Sequence, residues 1–120
     1  VDFEENTLTG DAEHFDWMRK HLERVSDLGL GPPTIGWLEE ALKETEALAK
    51  APAPEAPVLY LLGLEEEIVA PEAIRTAAGR AANAELVEIE GAKHEVFMET
   101  PDRQAQAWAA IDAFLAEQGV

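Results

Sequence analysis

Val58-Leu59-Tyr60-Leu61-Leu62-Gly63-Leu64-Glu65-Glu66-Glu67 is an unbroken apolar run, a glycine, and then an acidic loop. A strand with one face in water alternates apolar and polar residues. A run without alternation predicts a strand covered on both faces, as in a parallel sheet flanked by helices. Downstream, Pro71 suits the first turn of a helix running to about residue 82. Residues 85–90 alternate and read as a second short strand. Gly91-Ala92-Lys93-His94 is the loop after it. Pro101 opens a last helix with Ala105, Trp108, Ile111, Phe114 and Leu115 on its apolar side, Trp108 reading as core. Strand, helix, strand, helix is the unit of an α/β fold with a parallel sheet.

Upstream of the run, Ala51-Pro52-Ala53-Pro54-Glu55-Ala56-Pro57 cannot continue a helix and favours an extended link. It divides the chain into a helical front over 1–50, a linker over 51–57 and the α/β back over 58–120. The front starts with a polar, irregular segment over 2–10. Thr9 or Asp11 then caps a helix whose apolar stripe is Phe15, Met18, Leu22 and Val25. After a Gly/Pro loop over 28–33, Thr34 caps a second helix, with Ile35, Leu38, Ala41, Leu42, Thr45 and Leu48 on one face. A lone parallel pair has two open edges and is marginal in water. The expectation is therefore that further strands belong to the functional unit, from an upstream segment or a second chain.

The chain has 120 residues, 47% of them apolar, and a formal net charge of −16. So acidic a surface repels phosphate backbones and anionic membranes, which argues against nucleic-acid partners. No stretch approaches the roughly 20 apolar residues that span a bilayer, so no stable membrane insertion is expected. Val1-Asp2-Phe3-Glu4-Glu5 has neither the basic start nor the apolar core of a signal peptide. The expected location is cytoplasmic. The chain lacks an initiator Met and reads as processed or truncated at its start.

In open α/β sheets, ligands bind beyond the carboxyl ends of the strands. The glutamates 65, 66 and 67 follow the first strand and His94 follows the second. An acid and then a histidine in that order is the arrangement of the last two triad members in α/β-hydrolases. The carboxylate fixes the imidazole tautomer, and the imidazole takes a proton from a hydroxyl nucleophile. Position alone leaves open which of Glu65, Glu66 and Glu67 is that acid. Other chemistries find less support. With no cysteine, thiolate sites are excluded. His94-Glu95-Val96-Phe97-Met98 has a methionine where a zinc-protease helix carries its second histidine. His14 and His21 lack a third ligand. No metal or cofactor is expected.

The stretch 57–69, apolar strand, Gly63, two residues, Glu66, one residue, Ile68-Val69, resembles the acid-bearing strand and loop of the lysophospholipase and monoglyceride-lipase branch of the α/β-hydrolases. Gly91-Ala92-Lys93-His94-Glu95-Val96-Phe97-Met98-Glu99 resembles that branch's histidine loop. Asn6-Thr7-Leu8-Thr9 with its helix, and Pro33-Thr34-Ile35-Gly36-Trp37-Leu38 with its own, resemble the lid inserted before the acid-bearing strand. The resemblance covers essentially the whole chain. It implies the C-terminal part of an α/β-hydrolase, with two lid helices before a strand–helix–strand–helix unit. It also implies Glu66 as triad acid, His94 as catalytic base, and a small lipid or ester substrate. Trp17, Met18, Trp37 and Phe97 are the residues to watch for acyl-chain contact, packing between lid and sheet being the alternative. Glu95 and Glu99 read as flanking the histidine loop structurally.

This sequence departs from the branch in three places. Most relatives have Asp where Glu66 stands, many have Asp where Ala70 stands, and the Gly-x-Ser-x-Gly nucleophile turn is absent. The only serine, Ser26, lies at a helix end. The nucleophile and oxyanion hole are therefore expected from outside these residues. A non-catalytic fragment or acidic partner-binding module is the rival reading. Dehalogenase or epoxide-hydrolase chemistry on the same fold is another.

Overall fold

The structure is a computed structural model that describes residues 2–120. Its centre is a parallel pair, β1 (Val58–Gly63) and β2 (Ala84–Ile89), in register from Val58 opposite Ala84 to Gly63 opposite Ile89. Among the described residues these form a sheet of two strands. The connection between them carries α3 (Pro71–Arg80), with Pro71 in its first turn, where a missing N–H costs nothing. α4 (Pro101–Glu117) follows the same rule at Pro101. The architecture is thus mixed α/β, strand–helix–strand followed by a helix. The second strand begins one residue earlier, and α3 ends two residues earlier, than the sequence pattern suggests.

The core gathers at the carboxyl ends of the strands. Ile89, Ala92, Val96 and Ala107 are buried against one another, with Leu61 and Val87 packed beside them. β1 follows the same gradient. Its first four residues are half-buried, and Leu62 and Gly63 are buried. On α4 the fully buried residue is Ala107, whereas Trp108 is 53% exposed. This corrects the expectation that Trp108 is core. A small side chain at 107 lets the helix lie close to Ile89 and Ala92. That rotation turns the neighbouring indole outward, to a tilted contact with Phe97 at 5.0 Å between ring centres.

The front helices are α1 (Ala12–Arg24) and α2 (Ile35–Lys50). Asp11 caps α1, its side chain accepting from the amides of Glu13 and His14. Thr34 caps α2 through the amide of Trp37. Phe15 is the buried residue of α1 and meets Phe3 edge-on. The apolar face of α2 is formed as its spacing dictates, but Ile35, Leu38, Leu42 and Leu48 are exposed. The guanidinium of Arg80 donates to the carbonyls of Ala49 and Ala51, joining the end of α2 to the end of α3.

Candidate active site

The acid loop leaves β1 against the histidine loop. A Cβ on Gly63 would run into the carbonyl oxygens of Ala92 and Lys93, so only glycine permits this approach. The amide of Leu64 donates to Ile89 O at 3.1 Å and that of Glu65 to Ala92 O at 2.9 Å. The chain then turns so that the Glu66 side chain folds back under its own loop. Its Oε1 accepts from the amides of Ile68 at 2.6 Å and Val69 at 3.1 Å. Its Oε2 lies 2.6 Å from Nδ1 of His94. The Glu66 side chain is 4% exposed, while Glu65 and Glu67 point into solvent. Of the three glutamates, Glu66 is the one that meets the histidine.

Burial works hardest against a charge on Glu66. The His94 hydrogen bond, the two amides and the charge of His94 together outweigh it, and hold the carboxyl below the usual carboxylate range. An ionised carboxylate can only accept, so Nδ1 of His94 carries the proton facing it. In the neutral ring, Nε2 is then the basic nitrogen. The imidazole is 31% exposed. This is an imidazole oriented by a buried carboxylate at the carboxyl ends of two adjacent parallel strands, where ligands of open α/β sheets bind.

The histidine loop owes its course to Gly91 and to the N-terminal segment. Gly91 has φ +73°, a backbone conformation costly for any side chain. Residues 6–10 run alongside residues 93–99. Lys93 Nζ donates to Asn6 O at 2.7 Å, the Glu95 amide to Leu8 O at 2.8 Å, and Thr9 Oγ1 to Met98 O at 2.6 Å. The His94 amide reaches Thr7 O only at 3.5 Å. At the end of this seam Glu99, fully buried, accepts from Gly10 N and Lys93 N and pairs with Arg103. Asn6 and Thr9 are buried as well. From sequence, Glu99 reads as a structural flank of the histidine loop and Asn6 and Thr9 as part of the lid, and the seam that joins them is not visible. The available signal was a glutamate closing an otherwise apolar 96–98 segment, four residues before Arg103.

The candidate lipid-contact residues fall in different places. Met18 is half-buried and lines an open groove of about 450 Å³ with Thr7, Leu8, Phe15 and Leu22. Trp17 is 59% exposed and lies against His21. Trp37 is exposed on α2, and Phe97 faces Trp108. Ser26 lies in the exposed turn Ser26–Leu28. His21 Nδ1 is hydrogen-bonded to the Trp17 carbonyl at 2.8 Å, and His14 sits by Asp11 at 3.5 Å. Among the described residues no group of three or more metal-ligating side chains is gathered, and no helix is long and apolar enough to cross a membrane.

A family model described as Hydrolase_4, serine aminopeptidase S33, matches residues 2–101. The search of curated proteins gave no match.

Proposed function

The chain belongs to the Hydrolase_4 family of serine aminopeptidase S33 type, within the α/β-hydrolases, and from that premise we propose that it is the acid- and histidine-bearing part of a carboxylic-ester hydrolase. The substrates are single-chain lipid esters, lysophospholipids or monoacylglycerols. The observation that carries the reading is the contact of 2.6 Å between His94 Nδ1 and Glu66 Oε2 at adjacent strand ends. In this mechanism Nε2 of His94 takes the proton of a serine hydroxyl as its oxygen attacks the ester carbon. It returns that proton to the departing alkoxide, leaving an acyl-serine. Water then repeats the sequence and releases the fatty acid. Glu66 keeps the ring in the tautomer that leaves Nε2 basic, and stabilises the imidazolium formed in each half.

The serine and the oxyanion donors come from an upstream segment or a second chain. Two facts support this: the nucleophile turn is absent from the sequence, and the parallel pair has open edges. The front helices act as a lid. The groove beside Met18 and the exposed Trp17 and Trp37 supply apolar surface for an acyl chain. The reading goes with a cytoplasmic location.

The test is turnover by the complete enzyme on a monoacylglycerol, a lysophospholipid and an aminoacyl anilide. Release of fatty acid that disappears in His94→Ala supports the reading. Cleavage of the anilide alone moves the activity to peptide substrates, and full ester turnover in His94→Ala overturns the assignment of the base.

A further inference from the structure

Glu99 takes no part in the chemistry proposed above, yet its side chain is fully buried. Its Oε1 accepts from Gly10 N at 2.7 Å and from Lys93 N at 2.9 Å, and its Oε2 from Arg103 Nη1 at 2.8 Å. Burying a carboxylate merely to fill space is costly. An apolar residue of similar volume commonly does as well or better, so the charge needs another reason. The place where its hydrogen bonds end supplies one. Lys93 directly precedes His94, and the His94 amide has only the 3.5 Å contact to Thr7 O. The charge-assisted bond from the Lys93 amide to Glu99 is therefore the side-chain anchor of the backbone entering His94, beside the backbone bonds at Ala92 O and Glu95 N.

We propose that Glu99 is a positioning residue for His94: by joining the Lys93 amide to the Gly10 amide, it fixes the imidazole where Nδ1 meets Glu66 and Nε2 faces the reacting hydroxyl. The inference rests on the reading of His94 as the general base. The surroundings are built for this carboxylate. A Cβ on Gly10 would lie 2.7 Å from Arg103 Nη1, and one on Gly91 2.5 Å from Arg103 Nη2. Glycine at both positions leaves room for the guanidinium that balances Glu99. The same carboxylate links the histidine loop to Gly10 at the entry to α1, at the end of the seam formed by residues 6–9.

The experiment compares Glu99→Gln and Glu99→Asp with the parent in the complete enzyme. Gln keeps the shape but loses the charge. Asp keeps the charge but withdraws it from the two amides. A base displaced by about 1 Å loses on the order of 100-fold in rate. The expected result is a fall in kcat of about 10- to 100-fold in each variant, with KM within about two-fold. A loss or shift of the low-field Nδ1–H proton resonance of His94 accompanies it. The milder Asp variant serves if Gln does not fold. A kcat within about two-fold of the parent, with that resonance unmoved, overturns the proposal. So does a change confined to KM. If His94→Ala is itself fully active, the reading of the base has failed. If His94→Ala is dead and the Glu99 variants are unimpaired, only the positioning role has failed.

Discussion

The amide of Glu65 donates to the carbonyl of Ala92 at 2.9 Å, joining the acid loop to the histidine loop one residue before Glu66 and two before His94. The two loops meet as backbones before their side chains meet. Gly63 permits that approach, because any Cβ there would collide with Ala92 O and Lys93 O. Gly63→Ala must push the loops apart. The expected outcome is a loss of about 1–3 kcal/mol of stability, read by urea unfolding, together with loss of activity. Unfolding at the parent's urea midpoint would contradict the close approach.

The acid can be told from its neighbours by substitution. Glu66 is the glutamate that meets His94, and Glu65 and Glu67 are solvated. Glu66→Gln is expected to lower kcat by about 10³- to 10⁴-fold, because the ring then loses the partner that fixes its tautomer. Glu65→Gln and Glu67→Gln should stay within about two-fold, since solvated surface charges contribute little. Steady-state kinetics on the three variants decides it.

Acid should weaken the fold in a predictable window. Burial opposes the charge on Glu99 most strongly, but the Lys93 and Gly10 amides and Arg103 outweigh it and hold its carboxyl below the usual range. Glu66 is depressed in the same sense. A depressed carboxyl contributes its full stability above its unfolded value, here 4.5, and loses it as pH falls through the lower folded value. The thermal midpoint should therefore be flat near neutrality and fall below about pH 4.5. Glu99→Gln should start lower and fall less steeply. A midpoint that rises on acidification contradicts both assignments.

The ion pair at the end of the seam has its own prediction. Arg103→Leu leaves the Glu99 carboxylate buried without its countercharge, at an expected cost of about 3 kcal/mol at neutral pH. That cost should shrink in acid as Glu99 takes up a proton. Chemical unfolding at two pH values measures it, and a pH-independent cost would show that the pair is not the source.

Much of the fold was legible because its signals are local. The unbroken Val58–Leu62 run, the caps at Asp11 and Thr34, and prolines 71 and 101 each act within a turn or a strand, and each element stands within a residue or two of where its pattern points. Which side of α4 is buried was not legible. Trp108 is the larger apolar side chain and falls on the stripe with Ile111 and Leu115, yet the close approach to Ile89 and Ala92 needs the smaller Ala107. The face of α2 was readable from its spacing, but spacing does not say what covers a face. At the candidate site, strand-end position brought the glutamates and His94 together on paper, and the family resemblance singled out Glu66. The turn that folds Glu66 back onto the amides of Ile68 and Val69 left no mark of its own. Glu99 is legible only as a flank of the histidine loop, because its partner Gly10 is 89 residues away and no periodicity carries a contact of that range.

The most direct test of the central claim is intact-mass spectrometry of the complete enzyme after reaction with a fluorophosphonate, beside its His94→Ala variant. The account predicts one adduct, on a serine outside these 120 residues, formed at least about 10³-fold more slowly in the variant. No adduct on the complete enzyme, or labelling at the parent's rate without His94, would contradict it.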